Sequence, residues 1–213
     1  MTNLYPIGTM SLDEFCVKNP RVGLAFSGGC DSAYLLSVLL DAGVTVTSYL
    51  VRSAFQMPFE LHDAKDIARD LGTSIEVIEL DVLAQPEVIA NTNKRCYHCK
   101  RFIFSSIRDR MSKDGLTVLV DGTNASDDPA RRPGFKALLE LGVLSPLRLA
   151  GLTKDEIRKA SKVRGLFTAQ KPNFSCLATQ VEENVPLTEK RLLAVAQNMQ
   201  QNEWALRSKR QID

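Results

Sequence analysis

Apolar positions in this chain fall into short runs that switch between two spacings. RVGLAF at 21–26 is mostly apolar, the habit of a strand buried on both faces of a parallel sheet. VTVTSYLVR at 44–52 and SIEVIELDV at 74–82 alternate in the way of further strands. LTVLVD at 116–121 predicts a fourth, and VLSPL at 143–147 a brief extended piece. Between these runs the spacing becomes helical. AYLLSVLLDAG and ELHDAKDIARDLG each close on a glycine that can take the left-handed conformation. Phe102, Ile103, Ile107 and Met111 mark a helix within 94–113, and FKALLELG predicts a short one. Two capping boxes, Ser11 with Glu14 and Thr153 with Glu156, start helices of their own. A last helix, polar and rich in glutamine, begins near Thr188, with Trp204 as a possible anchor. Strands alternating with helices predict an α/β fold: a doubly wound parallel sheet of about five strands with a short helical C-terminal extension. Residues 1–180 form the nucleotide-binding domain with the cysteine site, and 181–213 a tail.

Parallel sheets of this kind bind ligands at the carboxyl ends of their strands. SGGCDS at 27–32 lies at such an end and opens a helix. Gly28 and Gly29 allow a tight turn that points several N–H groups at one anion, and the helix dipole adds positive potential. Ser27 and Ser32 bring hydroxyl donors. The spacing is not that of a Walker loop, and the loop holds no lysine. It holds Asp31 instead, a carboxylate that makes sense beside phosphates if it binds a divalent cation. A plain glycine turn with Asp31 capping the helix is the simpler alternative.

Five cysteines (16, 30, 96, 99 and 176) and an N-terminus without a signal-peptide pattern argue against a disulfide framework and for a cytoplasmic protein. Cys96 and Cys99 form a Cys-x-x-Cys within KRCYHCKR at a helix start. The helix N-terminus and the flanking Lys94, Arg95, Lys100 and Arg101 are expected to lower their pKa values. Cys176 lies in KPNFSCLATQ, far along the chain. Three cysteines leave one metal position unfilled. A structural zinc site needs a fourth ligand, and His98 on a helix points elsewhere. An iron–sulfur cluster with an open iron, or three unrelated thiols, are the other readings.

The 213 residues are 44% hydrophobic and 24% charged, the balance of a soluble globular chain, and no apolar run is long enough to cross a bilayer. A net charge of +2 argues against nucleic acid as a partner.

SGG-x-DS after the first strand resembles the PP-loop of the N-type ATP pyrophosphatases, an adenine nucleotide alpha-hydrolase type of fold. DGTN at 121–124, Asp127, Asp128, RPG at 132–134, SPL at 145–147, AGLTKDEIR, KP and CLA follow in the order of the LarE-type sulfur transferases. The resemblance runs from about residue 20 to about residue 180. It implies a sulfur transferase that adenylates a substrate carboxylate with ATP, releases pyrophosphate and then delivers sulfur, as in nickel-pincer cofactor biosynthesis. ATP is then held by Ser27, Gly28, Gly29 and Ser32, with Mg²⁺ near Asp31. Gly122 and Thr123 touch the nucleotide, Ser53 to Met57 lie near the adenine, and Arg132 meets substrate or phosphate charge. Cys96, Cys99 and Cys176 match the subtype whose thiolates hold a [4Fe–4S] cluster, while Cys176 matches the position that in other members gives up its own sulfur. The implied partners are a small-molecule carboxylate and a sulfide or other sulfur donor.

Family members usually continue into another small α/β domain, whereas here thirty-seven residues follow Cys176, and Gln180 stands where the family has arginine. The face left uncovered points to a homo-oligomer. A tRNA thiolase of the PP-loop type, a non-catalytic nucleotide- or metal-binding subunit, and an amide-forming ligase with structural zinc are the alternatives.

Overall fold

A computed structural model describes the backbone of residues 5–172 and 175–209, and the side chains among them up to 199 apart from that of Pro58. The ring of Trp204 and residues 173–174 of the KPNF segment lie outside the described residues. The strands β1 (Arg21–Ala25), β2 (Thr45–Arg52), β3 (Ile75–Glu79) and β4 (Leu119–Asp121) form one sheet in the order β3-β2-β1-β4, with every pairing parallel. The sheet grows outward from β1 to β3 and then returns to place β4 on the other side of β1. That reversal sets the switch point at the carboxyl ends of β1 and β4, where open α/β sheets bind ligands.

The helices divide between the two faces. On one face, α1 (Leu12–Lys18), α2 (Cys30–Asp41), α3 (Pro58–Asp70) and α8 (Lys154–Val163) enclose Leu24, Leu35, Leu36, Leu39, Ile67 and Ile157, all essentially inaccessible. On the other, α5 (Arg95–Lys113) and α6 (Gly134–Glu140) bury Phe104, Ile107, Met111 and Leu138 against Tyr49 and Leu119. Each such side chain contributes roughly 1.5–3 kcal/mol by leaving water. Two short helices, α4 (Pro86–Ile89) and α7 (Pro146–Leu149), join these layers, and α9 (Glu189–Lys209) closes the described chain.

Local chemistry accounts for the boundaries. Ser11 and Thr153 make reciprocal capping boxes with Glu14 and Glu156. The helix expected from residue 60 starts at Pro58, because proline suits a first helical position and Glu60 reaches back to accept from the Met57 N–H at 2.7 Å. The fifth extended piece is a correction. VLSPL makes only an isolated parallel bridge, Val120 to Leu144, so among the described residues the sheet has four strands. Leu144 accepts from the Asp121 N–H and donates to Leu119, but Pro146 lacks a donor and opens α7 two residues later. Among the described residues, no helix is long and apolar enough to cross a membrane.

Candidate functional site

At the carboxyl end of β1 the chain turns through Ser27–Gly28–Gly29 into α2. Ser27 and Ser32 face each other across this turn, with their hydroxyls 3.1 Å apart. The Ser27 hydroxyl also accepts from the Gly29 N–H at 3.3 Å, and Ser32 donates to the Gly29 carbonyl at 3.2 Å. Gly28 takes φ +67°, and a Cβ there would stand 2.9 Å from Cβ of Ala64 on α3. Both conformation and space therefore require glycine. Gly29 precedes α2 without a side-chain cap, leaving the helix start open to an anion.

The second loop follows β4 and lies directly against the first. A Cβ on Gly122 would sit 2.9 Å from the Ser32 nitrogen and 3.2 Å from the Asp31 carbonyl carbon, so the two backbones are in contact. Asp121 is buried and accepts from the Thr123 hydroxyl and the Ser145 hydroxyl, both at 2.6 Å, and from the Thr123 N–H at 3.2 Å. Asn124 accepts from the Ser126 N–H at 2.8 Å. Beneath the loop the buried Arg148 donates to the carbonyls of Asp127 at 2.8 Å and Asn124 at 3.2 Å, and it stacks on Phe135. Arg132 turns outward, largely exposed, onto Asp127 at 2.7 Å.

Asp31 does not cap α2. Both its oxygens accept from Nζ of Lys154 at 2.8 Å, and one also from the Asn124 amide at 3.3 Å. A second lysine flanks the other side of the loop: Lys171 pairs with Asp63 of α3 at 2.5 Å and reaches the Gly28 carbonyl at 3.4 Å. The loop has no lysine in sequence, yet the fold brings it two from more than a hundred residues away. Sequence reasoning passed over both. For Lys154 the signal was weak: a lysine at the first position of a capped helix faces the positive end of the dipole, but Asp155 and Glu156 in the same turn already offset it.

Ser53 to Met57 follow β2. Ser53 donates through its N–H and hydroxyl to Gln56 at 2.8 and 2.9 Å, and Met57 is buried. This segment also meets the cysteines, since the Leu177 N–H donates to the Phe55 carbonyl at 3.0 Å. Cys99 and Cys176 pack at the margin of an apolar cluster of Phe55, Met57, Val82, Val88, Leu177 and Leu187. Arg95 pins the arrangement. It donates to the Ala178 carbonyl at 2.7 Å and to Asn91, and its other amino group stands 3.4 Å from Sγ of Cys96.

Cys99 does not behave as its basic flank predicts. Burial pushes Cys99 up to about 12, with Cys176 and Cys96 adding to the rise and Arg95 and Lys100 opposing it. Burial also raises Cys176, Arg95 pulls it down, and Cys96 adds to the rise. Desolvation therefore outweighs the nearby cations. The same couplings place the three thiols within electrostatic reach of one another. His98 sits edge-on against Tyr97, with ring centroids 5.1 Å apart. Among the described residues, no group of three or more His, Cys, Asp or Glu side chains is arranged to hold a metal ion. Beside Cys96 a broad open cleft of about 1060 Å³ is rimmed by Lys94, Arg95, Arg131, Gln180, Glu182 and Glu183.

No protein-family model matches the chain. It is 31% identical over 186 residues to the uncharacterized protein slr1717 of Synechocystis sp., covering 87% of this chain and 69% of that protein. It is 29% identical over 177 residues to the pyridinium-3,5-bisthiocarboxylic acid mononucleotide synthase of Lactiplantibacillus plantarum, covering 82% and 64%. The tRNA-specific 2-thiouridylase MnmA of Thermotoga petrophila is 27% identical over 193 residues, covering 71% and 54%. The chain thus spans 54–69% of the length of these relatives. Among solved structures, the NMN synthetase of Francisella tularensis superposes with a TM-score of 0.61 at 17% identity, over 76% of this chain and 70% of that one.

Proposed function

This chain belongs to the PP-loop superfamily, in one family with the Synechocystis protein slr1717, and on that premise we propose that it is an ATP-dependent, AMP-forming sulfur transferase acting on a small-molecule carboxylate. The observation that carries this reading is the continuity of two sites. Lys171, five residues before Cys176, reaches the Ser27–Ser32 loop at Gly28, and Leu177 joins the Cys176 segment to Phe55 in the loop after β2. The reading requires a molecule activated at the first site to be presented to sulfur at the second. The relative named for a bisthiocarboxylic acid mononucleotide supports a pyridinium carboxylate as the acceptor.

The roles follow from position. The N–H groups of the first loop and the hydroxyls of Ser27 and Ser32 bind the pyrophosphate portion of ATP, with Asp31 toward Mg²⁺. Gly122 and Thr123 set the floor of the nucleotide site, Ser53 to Met57 border the adenine, and Arg132 stands at the mouth. A substrate carboxylate oxygen bonds to the α-phosphorus as the bond to the β-phosphate oxygen breaks. Sulfur then bonds to the acyl carbon as AMP leaves.

Cys96, Cys99 and Cys176 are the sulfur-handling residues. Three thiols, two of them at the margin of an apolar cluster, are ligands that suit a soft, positively charged group, and holding it would require them to draw together from the arrangement of the described residues. Cys96, Cys99 and Cys176 would be the ligands of a [4Fe–4S] cluster, which would supply a replaceable sulfide. Where Cys176 is itself the donor, its Sγ bonds to the acyl carbon as AMP departs. Its Cβ–Sγ bond then breaks with loss of the Cα proton, leaving dehydroalanine.

Two assays test this reading. ATP–pyrophosphate exchange that depends on the carboxylate acceptor is the expected result, and its absence overturns the adenylating role. Iron and acid-labile sulfide, measured after anaerobic purification, should reach about four irons per chain in the wild type and be lost in Cys96→Ala. Zinc in their place removes the cluster from the account.

A second reading, tRNA thiolation, has support in the similarity to MnmA and in Lys94, Arg95 and Arg131 around the cleft. Glu182 and Glu183 on the same rim and the net charge of +2 weigh against it. Salt-dependent tRNA binding at the cleft is its test.

A further inference from the structure

Lys171, five residues before Cys176, is fixed through both its backbone and its side chain. Arg158 of α8 donates to the Ala169 and Lys171 carbonyls at 2.7 and 2.8 Å, and the Lys171 N–H donates to the Thr168 carbonyl at 3.1 Å. The ammonium, on a side chain only 13% exposed, pairs with Asp63 at 2.5 Å, donates to the Gly28 carbonyl at 3.4 Å and lies 5.5 Å from the centre of the Phe59 ring. A trans peptide points its C=O and N–H in opposite directions. Lys171 therefore holds the Gly28–Gly29 peptide from the side away from the Gly29 N–H, behind the donors of the loop rather than among them. The downstream end of the same segment is anchored too, by the Leu177 N–H on the Phe55 carbonyl at 3.0 Å and by Arg95 on the Ala178 carbonyl at 2.7 Å. Five residues span at most about 18 Å when fully extended, so the Lys171 anchor bounds how far Cys176 lies from the glycine loop.

Resting on the sulfur-transfer reading, we propose that Lys171 is a positioning residue that holds the Cys176 segment in place against the Ser27–Ser32 loop, so that an acyl-adenylate formed at the loop meets sulfur before it meets water. It takes no part in either bond-making step. With the segment released, activation continues but its product is wasted. A water oxygen bonds to the acyl carbon as AMP leaves, the water gives up its protons to solvent, and the original carboxylate returns. Misplacing a reacting group by about an ångström can cost roughly a hundredfold in rate, whereas attack by bulk water depends on no such placement. The signature is uncoupling: AMP without thiolated acceptor.

The test measures AMP and thiolated acceptor together, after anaerobic incubation with ATP, Mg²⁺, sulfide and a pyridinium dicarboxylate mononucleotide. Lys171→Met should lower the thiolated product per AMP about tenfold, while carboxylate-dependent ATP–pyrophosphate exchange stays within about twofold of wild type. Lys171→Arg keeps a cation for Asp63 and should recover most of the ratio. Asp63→Asn weakens the same anchor from α3 and should lower the ratio severalfold; it carries the test if melting curves show that Lys171→Met does not fold. A second readout needs no turnover: in metal-free protein, alkylation of Cys176 relative to Cys96 should rise severalfold in Lys171→Met. A folded Lys171→Met with the wild-type ratio overturns the positioning role. So does a loss of exchange and product in equal measure, which marks a residue that serves the nucleotide site or the fold alone. A wild type that forms AMP but no thiolated acceptor overturns the sulfur-transfer reading and this role with it.

Discussion

Substituting Gly122 with alanine tests whether the two sheet-edge loops form one site. Gly122 has no positive φ, so alanine adds no conformational strain there. Its cost is steric. The new Cβ would stand 2.9 Å from the Ser32 nitrogen and 3.2 Å from both the Asp31 carbonyl carbon and the Ser32 Cα. Ordinary contact begins near ~3.5 Å, so the loops must part by roughly half an ångström. All three atoms are backbone in the first turn of α2, and no side-chain rotation can relieve the clash. Overpacking of this kind costs about 1–3 kcal/mol, or roughly 2–12 °C in Tm for a chain of this size. The same displacement moves the Ser32 N–H and the Asp31 carboxylate from their places in the cradle. ATP affinity by calorimetry should therefore fall about tenfold or more, beyond what a small loss of stability explains. Gly115→Ala is the control: its φ of +67° makes alanine strained, yet nothing lies within 4 Å of the added carbon. It should lower Tm by a similar amount and leave ATP binding intact. A folded Gly122→Ala that binds ATP like wild type refutes the joint site.

Three further predictions concern the surroundings. Arg95→Met removes the donors to the Ala178 carbonyl and Asn91 that hold the Cys176 segment to α5; metal retention by the purified protein should drop severalfold while ATP binding stays unchanged, as calorimetry with ATP will check. Arg148→Met removes a donor from the loop carbonyls of Asn124 and Asp127, the former keeping only the Asp127 N–H; a loss of about 1–3 kcal/mol in urea unfolding is expected. In the metal-free protein, Cys99 has its pKa raised from an ordinary 9.0 to about 12. Its thiol is neutral in both the folded and unfolded states below the lower value. Between the two values only the unfolded chain ionises it, so stability falls as pH rises across that window. Alkylation of folded metal-free protein, mapped by peptide mass spectrometry, should accordingly be slow at Cys99 below the window and should accelerate toward its top.

The order of strands and helices was legible because apolar spacing and capping boxes are local signals. Ser11 with Glu14 and Thr153 with Glu156 form the hydrogen bonds their spacing implies. Gly43 and Gly72 turn the chain at φ +74° and +67° just past the helices they follow. VLSPL misled for a local reason as well, since Pro146 ends its pairing and starts a helix. The glycine loop and the three cysteines stood out in sequence, but their electrostatic surroundings did not. The basic flank of Cys99 is visible in sequence, whereas its burial under Phe55 and Leu177 comes from segments dozens of residues away and dominates. Lys154 and Lys171 reach the loop for the same kind of reason. Each lies over 120 residues from its partner on the loop, at a distance that only the closing of the sheet removes.

The central claim is that ATP activation at the first loop drives sulfur from the cysteine site into a carboxylate. Mass spectrometry of the acceptor tests it most directly, after anaerobic incubation with ATP, Mg²⁺, sulfide and a pyridinium dicarboxylate mononucleotide. The account predicts an acceptor in which sulfur replaces a carboxylate oxygen, with AMP formed alongside, and no such product from Cys176→Ala. AMP formation without sulfur in the acceptor, or sulfur incorporation that survives Cys176→Ala, contradicts it.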